Sequence, residues 1–275
     1  MTDTSQLADK ARAFTAMHVP GNPIVLPNAW DASSAWVIQQ AGAKAIATSS
    51  AACAWSIGRA DGGGMSRDEA VDVVRRVVSA VDVPVTADIE TGYGDDAALA
   101  ETIRAVLDAG AIGINLEDSG GDPLYPIDIA AQRVSLVQET AEAFGVPLHI
   151  NARVDVFFES VGEPDELVAL TLERAAAYLE SGASSIFVPG VRDLAVIEQL
   201  TKGIAAPVNI LAGASSPSVA QLAEAGVGRI SVGSSLNLAM LQTLGGVVEN
   251  LLAAGSLDAL GGIPYPEINR YFAGR

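Results

Sequence analysis

The chain contains the stretch Val83-Pro84-Val85-Thr86-Ala87-Asp88-Ile89-Glu90-Thr91-Gly92-Tyr93-Gly94-Asp95, in which an apolar run passes into alternating carboxylates and then into glycines. The run before Asp88 is typical of a buried strand. Asp88 and Glu90 stand at alternate positions, so their side chains face the same side of that strand. Carboxylates at the end of an apolar strand are costly unless they are solvated, paired or bound to a cation. We therefore expect a divalent metal ion at this strand end.

The apolar run belongs to a repeat that covers most of the chain. Four such runs follow a proline, and these prolines are separated by 61, 63 and 60 residues: Pro23, Pro84, Pro147 and Pro207. Between them, four further runs follow a short segment of small residues that contains Gly42, Gly110, Gly182 or Gly226. Glycine at such a position is the expected C-cap of a helix. The pattern thus predicts eight strands, each separated from the next by a helix.

The predicted strands are continuously apolar, which is typical of parallel strands covered on both faces. Eight βα units in a chain of 275 residues predict a (β/α)8 TIM barrel. An open doubly wound sheet is the alternative, and the evenly repeated units favour closure. We expect one domain over residues 1–275, with an N-terminal helix (1–22), a barrel core (23–236) and C-terminal helices (237–275). Functional residues of such barrels lie where the strands end.

Composition limits the partners of the protein. The net charge is −17 and no basic patch is visible, so nucleic acid is not an expected partner. The single cysteine, Cys53, cannot form an internal disulfide and fits a reducing cytoplasm. The first residues do not resemble a signal peptide, and no run is apolar enough to span a membrane. We expect a cytoplasmic enzyme whose partner is a small anionic substrate.

Carboxylates gather where the predicted strands end. They are Asp61 (in a loop), Asp88, Glu90, Glu117 and, as a further candidate, Asp118. Carboxylates that converge on one barrel mouth repel each other unless a cation lies among them. Oxygen ligands favour Mg²⁺ or Mn²⁺ over zinc. The two histidines, His18 and His149, are poorly placed for a metal, and we interpret both as structural.

Arg153 is the cation at a strand end near the centre of the predicted mouth. It can bind a substrate carboxylate through two hydrogen bonds, or it can form a salt bridge to Glu117 or Asp155. A neighbouring strand end offers a hydroxyl group and backbone N–H groups that can bind an anion: Ser49, Ser50 and Ala51. The alternative is that these groups form only ordinary hydrogen bonds within the loop. Asn151 and Gly190 end two further strands. They are added as substrate-binding candidates together with Trp30, Asp61 and Asp88.

The general acid or base is not identified by any motif. Tyr93, Asp122 and Tyr125 are candidates by position only, and a loop that closes over the site could bring the last two to the substrate. The tail from Ile263 to Phe272 carries apolar groups beyond the last predicted strand. We expect it to contact a second subunit, with packing on its own barrel as the alternative.

Five motifs together resemble the isocitrate lyase/phosphoenolpyruvate mutase superfamily, from about Pro27 to the C-terminal tail. They are Ser49-Ser50, Gly58 with Asp61, Asp88–Gly94, Asn115–Asp118 and Asn151–Asp155. The resemblance implies a (β/α)8 barrel with Mg²⁺ held mostly through water. It implies that Asp61, Asp88, Glu90 and Glu117 surround the metal. It also implies that Arg153 and the backbone near Ser49 and Ser50 bind a 2-oxo acid carboxylate. Finally, it implies that the last helices are exchanged between subunits of a homodimer or homotetramer.

The chain departs from the superfamily pattern at several positions. Lyases of the superfamily carry a loop with lysine, cysteine and histidine after the fourth strand, and residues 119–126 contain none of these. Glu90 replaces an aspartate, Ser50 replaces a glycine, and Trp30 replaces a tyrosine that belongs to the substrate site. These departures leave the acid/base unassigned.

The expected chemistry passes through an enolate of pyruvate type, with Arg153 holding the 2-oxo acid. We expect a Mg²⁺-dependent C–C lyase or decarboxylase that acts on a small 2-oxo acid or 2-hydroxy diacid. Two alternatives stay open. One is P–C bond chemistry on a phosphonopyruvate-like substrate, as a mutase or hydrolase. The other is a metabolite-binding barrel without turnover.

Overall fold

The computed structural model describes residues 4–275 and contains one parallel sheet that closes into a barrel. Its strands are β1 (Ile24–Leu26), β2 (Asn28–Ala29), β3 (Ile46–Thr48), β4 (Val85–Asp88), β5 (Gly113–Glu117), β6 (His149–Arg153), β7 (Ser185–Val188), β8 (Val208–Leu211) and β9 (Arg229–Ser231). Their order around the sheet is β1-β9-β8-β7-β6-β5-β4-β3-β2. The predicted (β/α)8 architecture is confirmed.

The first predicted strand is divided into β1 and β2 at Pro27, which has no N–H to give to a neighbouring strand. On one side of Pro27, β1 pairs with β9, and on the other side β2 pairs with β3. The two halves therefore join the last strand to the second predicted one. This pairing closes the barrel and excludes the open-sheet alternative.

Helices follow the strands and cover the outside of the barrel. They are α1 (Thr4–Thr15), α2 (Ala32–Gln40), α3 (Ser50–Ser56), α4 (Arg67–Ser79), α5 (Asp96–Asp108), α6 (Ile127–Phe144), α7 (Leu167–Glu180), α8 (Leu194–Gly203), α9 (Val219–Glu224), α10 (Ser235–Ala254) and α11 (Tyr265–Ala273). The N-terminal helix, expected within residues 1–22, ends at Thr15, and α10 begins at Ser235 rather than at residue 237. None of the helices within residues 4–275 has the length and apolarity needed to cross a bilayer.

Helix α1 closes the amino end of the barrel. Phe14 is fully buried, and its ring lies 3.1 Å from the position that a Cβ atom on Gly113 would occupy. A larger residue at 113 would push against this ring, so the glycine makes room for the helix. The stacked rings of His18 and His149 lie beside Phe14, with their centroids 4.0 Å apart. Both histidines are buried here, far from the carboxyl end, as their structural interpretation predicts.

The two faces of the barrel strands differ in polarity. Apolar residues on the outer face pack under the helices and form the main core, as Ile114, Ile150 and Ile230 do. Buried polar residues occupy the alternating positions and contact each other across the interior: Arg229 on β9 reaches Asn115 on β5. The continuous apolar runs of the sequence therefore describe the outer face well. The inner face contains more polar residues than those runs suggest.

The C-terminal helices contact the barrel in part. The rings of Tyr271 and Phe272 on α11 lie 5.5 and 6.3 Å from the ring of Trp36, and the Tyr271 hydroxyl donates to the Ala80 carbonyl at 2.6 Å. This end of the tail thus packs on its own barrel, which was the alternative interpretation. Helix α10 leaves a row of leucines exposed, including Leu244 and Leu252. A contact of α10 with a second subunit stays a prediction.

Candidate active site at the carboxyl end of the barrel

A cavity of about 350 Å³ opens at the carboxyl end of the barrel. Its polar lining includes residues from six of the nine strands or from the loops that follow them. The predicted residues that line it are Ser49, Ser50, Ala51, Asp61, Asp88, Glu90, Glu117 and Arg153. Residues that are as far apart in the sequence as Ser49 and Arg153 therefore meet in one cavity because every strand ends at the same rim.

Asp88 is fixed at the end of β4 by the neighbouring strand. One of its carboxylate oxygens, Oδ2, accepts hydrogen bonds from the backbone N–H and the hydroxyl of Ser50, at 3.1 and 2.9 Å. Its own N–H donates to Thr48 Oγ1 at 2.9 Å. Oδ1 makes no hydrogen bond to any of residues 4–275, so Asp88 has one oxygen held by the protein and one free for a ligand.

Glu90 is held in an unusual backbone conformation. Its φ angle is +50°, a left-handed value that non-glycine residues seldom adopt and that is often found at functional sites. Glu90 Oε2 accepts a hydrogen bond from Gly63 N–H at 2.8 Å, whereas Oε1 is enclosed and has no partner. Burial, with smaller contributions from Asp88 and Asp61, raises the pKa of Glu90.

Glu117 and Arg153 lie next to each other on paired strands and form an ion pair of 2.7 Å, from Nη1 to Oε2. Arg153 Nε donates to Asp155 Oδ1 at 2.6 Å, and its Nη2 makes no hydrogen bond to any of residues 4–275. Burial raises the pKa of Glu117 to about 7, although Arg153 opposes the shift. Both salt bridges considered for Arg153 are thus present, and Nη2 is still available to a ligand.

These carboxylates fit a hard divalent cation. Within residues 4–275, no group of three or more His, Cys, Asp or Glu side chains that could hold a metal ion is formed. Mg²⁺, however, usually keeps several waters and takes only one or two carboxylates. The unpartnered Glu90 Oε1 and the raised pKa values of Glu90 and Glu117 are the signs of negative charge in need of compensation.

The first turn of α3 leaves one donor near Asp88. Ser50 N–H donates to Asp88, and Ala52 N–H donates to the side chain of Ser49. The first N–H groups of a helix have no partner within the helix. Ala51 N–H is therefore the donor at this position that the protein does not use.

Comparisons with known proteins agree with this geometry. A family model described as phosphoenolpyruvate phosphomutase matches residues 14–252. The chain belongs to this family. An uncharacterised protein of Mycobacterium tuberculosis H37Rv is 35% identical over 224 residues, which cover 81% of this chain and 82% of that protein. The 2-methylisocitrate lyase of Escherichia coli K12 is 27% identical over 211 residues, which cover 74% of this chain and 69% of the lyase.

Solved structures give the same family. A Burkholderia cenocepacia J2315 protein, provisionally described as a phosphonomutase, is 42% identical with a TM-score of 0.84, and the match covers 89% of this chain and 99% of that one. A 2,3-dimethylmalate lyase has a TM-score of 0.80 at 23% identity, over 93% of this chain and 89% of that one, which shows a shared fold. The superfamily resemblance predicted from the motifs is confirmed.

Three of the predicted substrate-binding residues lie outside the cavity of this family member. Trp30 lines a separate apolar groove beside α2, and Gly190 lines a smaller cavity next to the main one. Asn151 is fully buried beneath the cavity and donates to Asn115 Oδ1 at 2.8 Å. None of the three lines the cavity, and their contact with a substrate stays a prediction.

The three acid/base candidates also lie away from the cavity lining. The Tyr93 side chain packs against the apolar cores beside β4, and its enclosed hydroxyl has no partner. Tyr125 faces Arg133, whose guanidinium carbon lies 5.3 Å from the ring centroid. Asp122 is exposed in the loop after β5. Their catalytic roles stay predictions that require a movement of the chain.

Asp118 does not belong to the carboxylate group of the cavity, and the interpretation of it as a further metal ligand is wrong. Alternation along the strand end turns it to the outer side, where it accepts from Asp155 N–H at 2.9 Å, from Arg174 at 3.1 Å and from the Tyr178 hydroxyl at 2.6 Å. We call Asp118, Arg174 and Tyr178 the clamp. Through the Asp155 backbone the clamp fixes the residue that holds Arg153 Nε.

The cavity is also lined by residues other than those named above. They are Asn28, Asn115, Ser119, Phe158, Glu159, Phe187, Pro189, Leu211, Ser231, Gly233 and Ser234, together with Gly62. Most lie at strand ends or just beyond them, so a systematic count of inward positions would have found Asn115 and Ser231. Glu159 lies in the irregular segment after β6, for which the sequence offers no such signal.

Proposed function

We propose that this protein is a Mg²⁺-dependent lyase of the phosphoenolpyruvate mutase family. Its substrate would be a small 2-oxo acid or 2-hydroxy diacid, and it would cleave a C–C bond or decarboxylate through an enolate of pyruvate type. The observation that carries the proposal is the meeting of Asp88, Glu90 and Glu117 with Arg153 in one cavity of about 350 Å³. Relatives named 2-methylisocitrate lyase support the reaction class.

Asp88, Glu90 and Glu117 would hold the cation, partly through water, with Asp61 contributing from its loop. When bound, Mg²⁺ would balance the negative charge that develops on the 2-oxygen of the substrate. Asp88 contributes its free Oδ1, because Oδ2 is held by Ser50. Glu90 would contribute its negative charge beside the cation, since Oε2 is held by Gly63 N–H and Oε1 is enclosed.

Arg153 and Ala51 would orient the substrate. Arg153 Nη2 and the Ala51 backbone N–H are donors that the protein leaves unused, and charge-assisted hydrogen bonds to a carboxylate are strong and directional. Phe158 and Phe187 lie over the Arg153 guanidinium, 5.1 and 5.9 Å from its carbon, and exclude water from one side. Fixing the carboxylate would leave the bond to C3 as the part of the substrate that can react.

Proton transfer has fewer candidates. Loss of a carboxylate from C3 of a 2-oxo diacid such as oxaloacetate releases carbon dioxide and leaves the pyruvate enolate without any base, whereas retro-aldol cleavage requires removal of a hydroxyl proton. Glu159 is the carboxylate of the lining that has no assigned metal role. Tyr93, Asp122 and Tyr125 would require movement of their segments to take part. The site therefore favours chemistry with a light demand for acid/base catalysis.

The test is direct incubation of the Mg²⁺-loaded protein with a panel of 2-oxo and 2-hydroxy diacids, including oxaloacetate. Release of pyruvate, glyoxylate or carbon dioxide is expected for at least one compound and is expected to stop in the Arg153→Met variant. Glu101→Gln, which changes an exposed carboxylate that pairs with Arg67, serves as the control. Absence of every product, together with tight binding of oxalate, would support the metabolite-binding barrel instead.

A second candidate is P–C bond chemistry on a phosphonopyruvate-like substrate. The 42% identity to the Burkholderia cenocepacia protein described as a phosphonomutase favours it. Phosphorus NMR of phosphonopyruvate incubated with the protein distinguishes the outcomes, because isomerisation, hydrolysis and no reaction give different phosphorus signals. The same cavity and the same arginine would serve either substrate, since both present a 2-oxo acid.

We also propose that the protein forms a homodimer or homotetramer through α10 and the adjoining groove. The groove has a volume of about 930 Å³, and its lining is largely apolar, with Trp30, Val37 and Met240 among its residues. The exposed leucines of α10 start beside it. Light scattering of wild type and of Leu244→Glu checks the interface, and a monomeric wild type would contradict it. A cytoplasmic location stays a prediction.

A further inference from the structure

Beneath the cavity lies a layer of buried amide side chains and one buried arginine. Asn115 on β5 is almost fully buried and lines the cavity floor. Asn151 and Arg229 lie below it with no exposed surface. An arginine in the interior without a paired carboxylate is costly, because its charge is removed from water. Burial indeed lowers the pKa of Arg229 to about 9. The contacts of Arg229 therefore need an explanation.

The one hydrogen bond that the Arg229 side chain makes within residues 4–275 fixes the orientation of Asn115. Arg229 Nη2 lies 3.1 Å from Asn115 Oδ1, and Asn151 Nδ2 lies 2.8 Å from the same oxygen. A guanidinium group can only donate, so the atom that faces it must be the amide oxygen. Rotation of the amide by half a turn would place two N–H donors against the arginine. The amide of Asn115 thus has one permitted orientation.

The donor and acceptor roles of Asn151, Ser185 and His149 are fixed in the same way. The Ser185 hydroxyl donates to Asn151 Oδ1 at 2.7 Å, so its oxygen must accept from His149 Nε2 at 2.9 Å. His149 Nδ1 then accepts from the Thr15 hydroxyl at 3.1 Å. In this series of hydrogen bonds, which runs from α1 to the cavity floor, the donor and acceptor roles of each group are set by the next group. Asn151 is therefore a structural link in this series.

At the cavity floor this series of hydrogen bonds ends with a donor that has no protein partner. Asn115 Nδ2 makes no hydrogen bond to any of residues 4–275, and it is not fully enclosed by protein atoms. Since Asn115 lines the cavity, its Nδ2 faces the cavity. An amide N–H group repels a cation and attracts an oxygen acceptor. The ligand that satisfies this group must therefore be an anion or a carbonyl rather than the metal ion.

We propose that Asn115 is a substrate-binding residue whose Nδ2 donates a hydrogen bond to an oxygen of a 2-oxo acid, and that Arg229 is the residue that positions it. The proposal rests on the function proposed above and adds a contact at the cavity floor. It explains why the protein keeps a buried arginine at this position. A residue that can only donate is the simplest means to prevent the amide from rotating.

The first test measures oxalate and pyruvate binding to the Mg²⁺-loaded protein by calorimetry, for wild type and for Asn115→Asp. The aspartate keeps the oxygen that faces Arg229 and Asn151, replaces the donor that faces the cavity by a second oxygen, and adds a negative charge. Both ligands are expected to bind about 10- to 100-fold more weakly, the value of one hydrogen bond to a charged group. Unchanged binding of both ligands in the variant would overturn the proposal.

Asn209→Asp is the matched control for the added charge. Asn209 lies on β8 opposite Arg229, is fully buried and does not line the cavity. Its Nδ2 has no partner and its Oδ1 accepts from Ser231, so the aspartate would lose no hydrogen bond. We expect less than threefold weaker binding in this variant. If both variants weaken binding equally, and oxalate more than pyruvate, charge alone explains the effect and the proposal is wrong.

The positioning role of Arg229 is tested separately. Arg229→Met removes the donor and also the buried charge, so its stability is expected to equal or exceed that of wild type, while oxalate binding weakens at least threefold. Arg229→Lys keeps a residue that can only donate and is expected to restore binding. Equal oxalate binding in wild type and a folded Arg229→Met variant would overturn this role. If the methionine variant does not fold, Asn115→Asp still decides the substrate contact.

The failure of this inference differs from the failure of the proposed function. If wild type binds neither oxalate nor pyruvate in the presence of Mg²⁺, the proposed 2-oxo acid function is wrong, and the proposed Asn115 contact is wrong as well. If wild type binds both and Asn115→Asp binds them as tightly, the function stands and only the contact is wrong. ¹⁵N-labelled asparagine side chains give an independent measurement, because the Asn115 amide signal should shift on oxalate addition while the Asn209 signal should not.

Discussion

Glu117 and Asp118 are neighbouring carboxylates at the end of β5, and they lie on opposite sides of the barrel wall. Glu117 faces the cavity, where burial raises its pKa to about 7 and Arg153 is its charged partner. Asp118 faces outward, where it accepts hydrogen bonds from Arg174 and Tyr178, the other two members of the clamp, and from a backbone N–H. Two neighbouring carboxylates thus have different surroundings on the two sides of the wall. The difference lies in how many partners the protein provides.

The largest expected effect is on the clamp. Asp118→Ala leaves the buried charge of Arg174 without its partner, so the free energy of unfolding should fall by about 3–5 kcal/mol. Glu117→Ala should cost less, because Arg153 keeps Asp155 as a partner and burial already disfavours the charged form of Glu117. Urea denaturation of the two variants measures both values. Equal losses would remove the distinction between the two sides of the wall.

The next effect concerns the cavity side. Asp88→Ala should weaken Mg²⁺ binding by more than about 100-fold, since changes in residues that only support a ligand already cost 10- to 100-fold. The stability of this variant in metal-free buffer should change little. Calorimetric titration with Mg²⁺ measures the affinity, and Asp68→Ala, at an exposed carboxylate on α4, is the control. Unchanged Mg²⁺ affinity would mean that the assignment of the metal site is wrong.

At the amino end of the barrel, which α1 closes, the buried His18 makes the stability of the fold depend on pH. Burial lowers the pKa of His18 from 6.5 to about 4, so the folded protein keeps this ring neutral. Below pH 6.5 the unfolded chain binds a proton that the folded chain does not, and stability therefore falls with falling pH. The loss should reach about 2 kcal/mol between pH 6.5 and pH 5.

Urea denaturation at a series of pH values measures this dependence, with Mg²⁺ present so that the cavity carboxylates contribute little. His18→Asn keeps a donor for the Phe14 carbonyl, which His18 Nδ1 contacts at 2.9 Å. Its stability should depend on pH less steeply, by about one proton. Identical slopes for wild type and variant would show that His18 does not titrate in this way.

The smallest effect tests whether the clamp acts on the cavity. Tyr178→Phe removes the hydroxyl that donates to Asp118 and accepts from Arg174, and should cost about 1 kcal/mol of stability. Oxalate affinity should stay within about threefold of wild type, because Glu117 continues to hold Arg153. Calorimetry decides the point. A loss of affinity beyond tenfold would show that the clamp also positions the substrate-binding arginine.

The fold was largely predictable, and the reason is local. The prolines before strands and the glycines after helices mark each βα unit, and their even spacing indicates closure. The division of the first strand at Pro27 was not predicted, although a proline cannot donate to a ladder. The course of α11 against Trp36 could not be read from the sequence either, because an apolar tail fits its own barrel and a second subunit equally well.

The candidate site was predictable in its location but less so in its membership. Asp88, Glu90, Glu117 and Arg153 meet because strand ends share a rim. Tyr93 and Trp30 lie near the rim in sequence and outside the cavity in space, since the direction of a loop side chain depends on what packs against it. Glu159 enters the lining from an irregular segment, and no periodic pattern points to it.

The sequence by itself determined that the chain closes into a (β/α)8 barrel and that its carboxylates gather at one end, because strand alternation and repeat spacing act over short distances. Only the tertiary structure decided which groups find partners. The clamp joins residues 118 and 174, and Arg229 reaches Asn115 across the interior, 114 positions away in the chain. Such contacts exist only once the barrel has closed. They determine which polar groups are left for a ligand, and Asn115 Nδ2 is one of them.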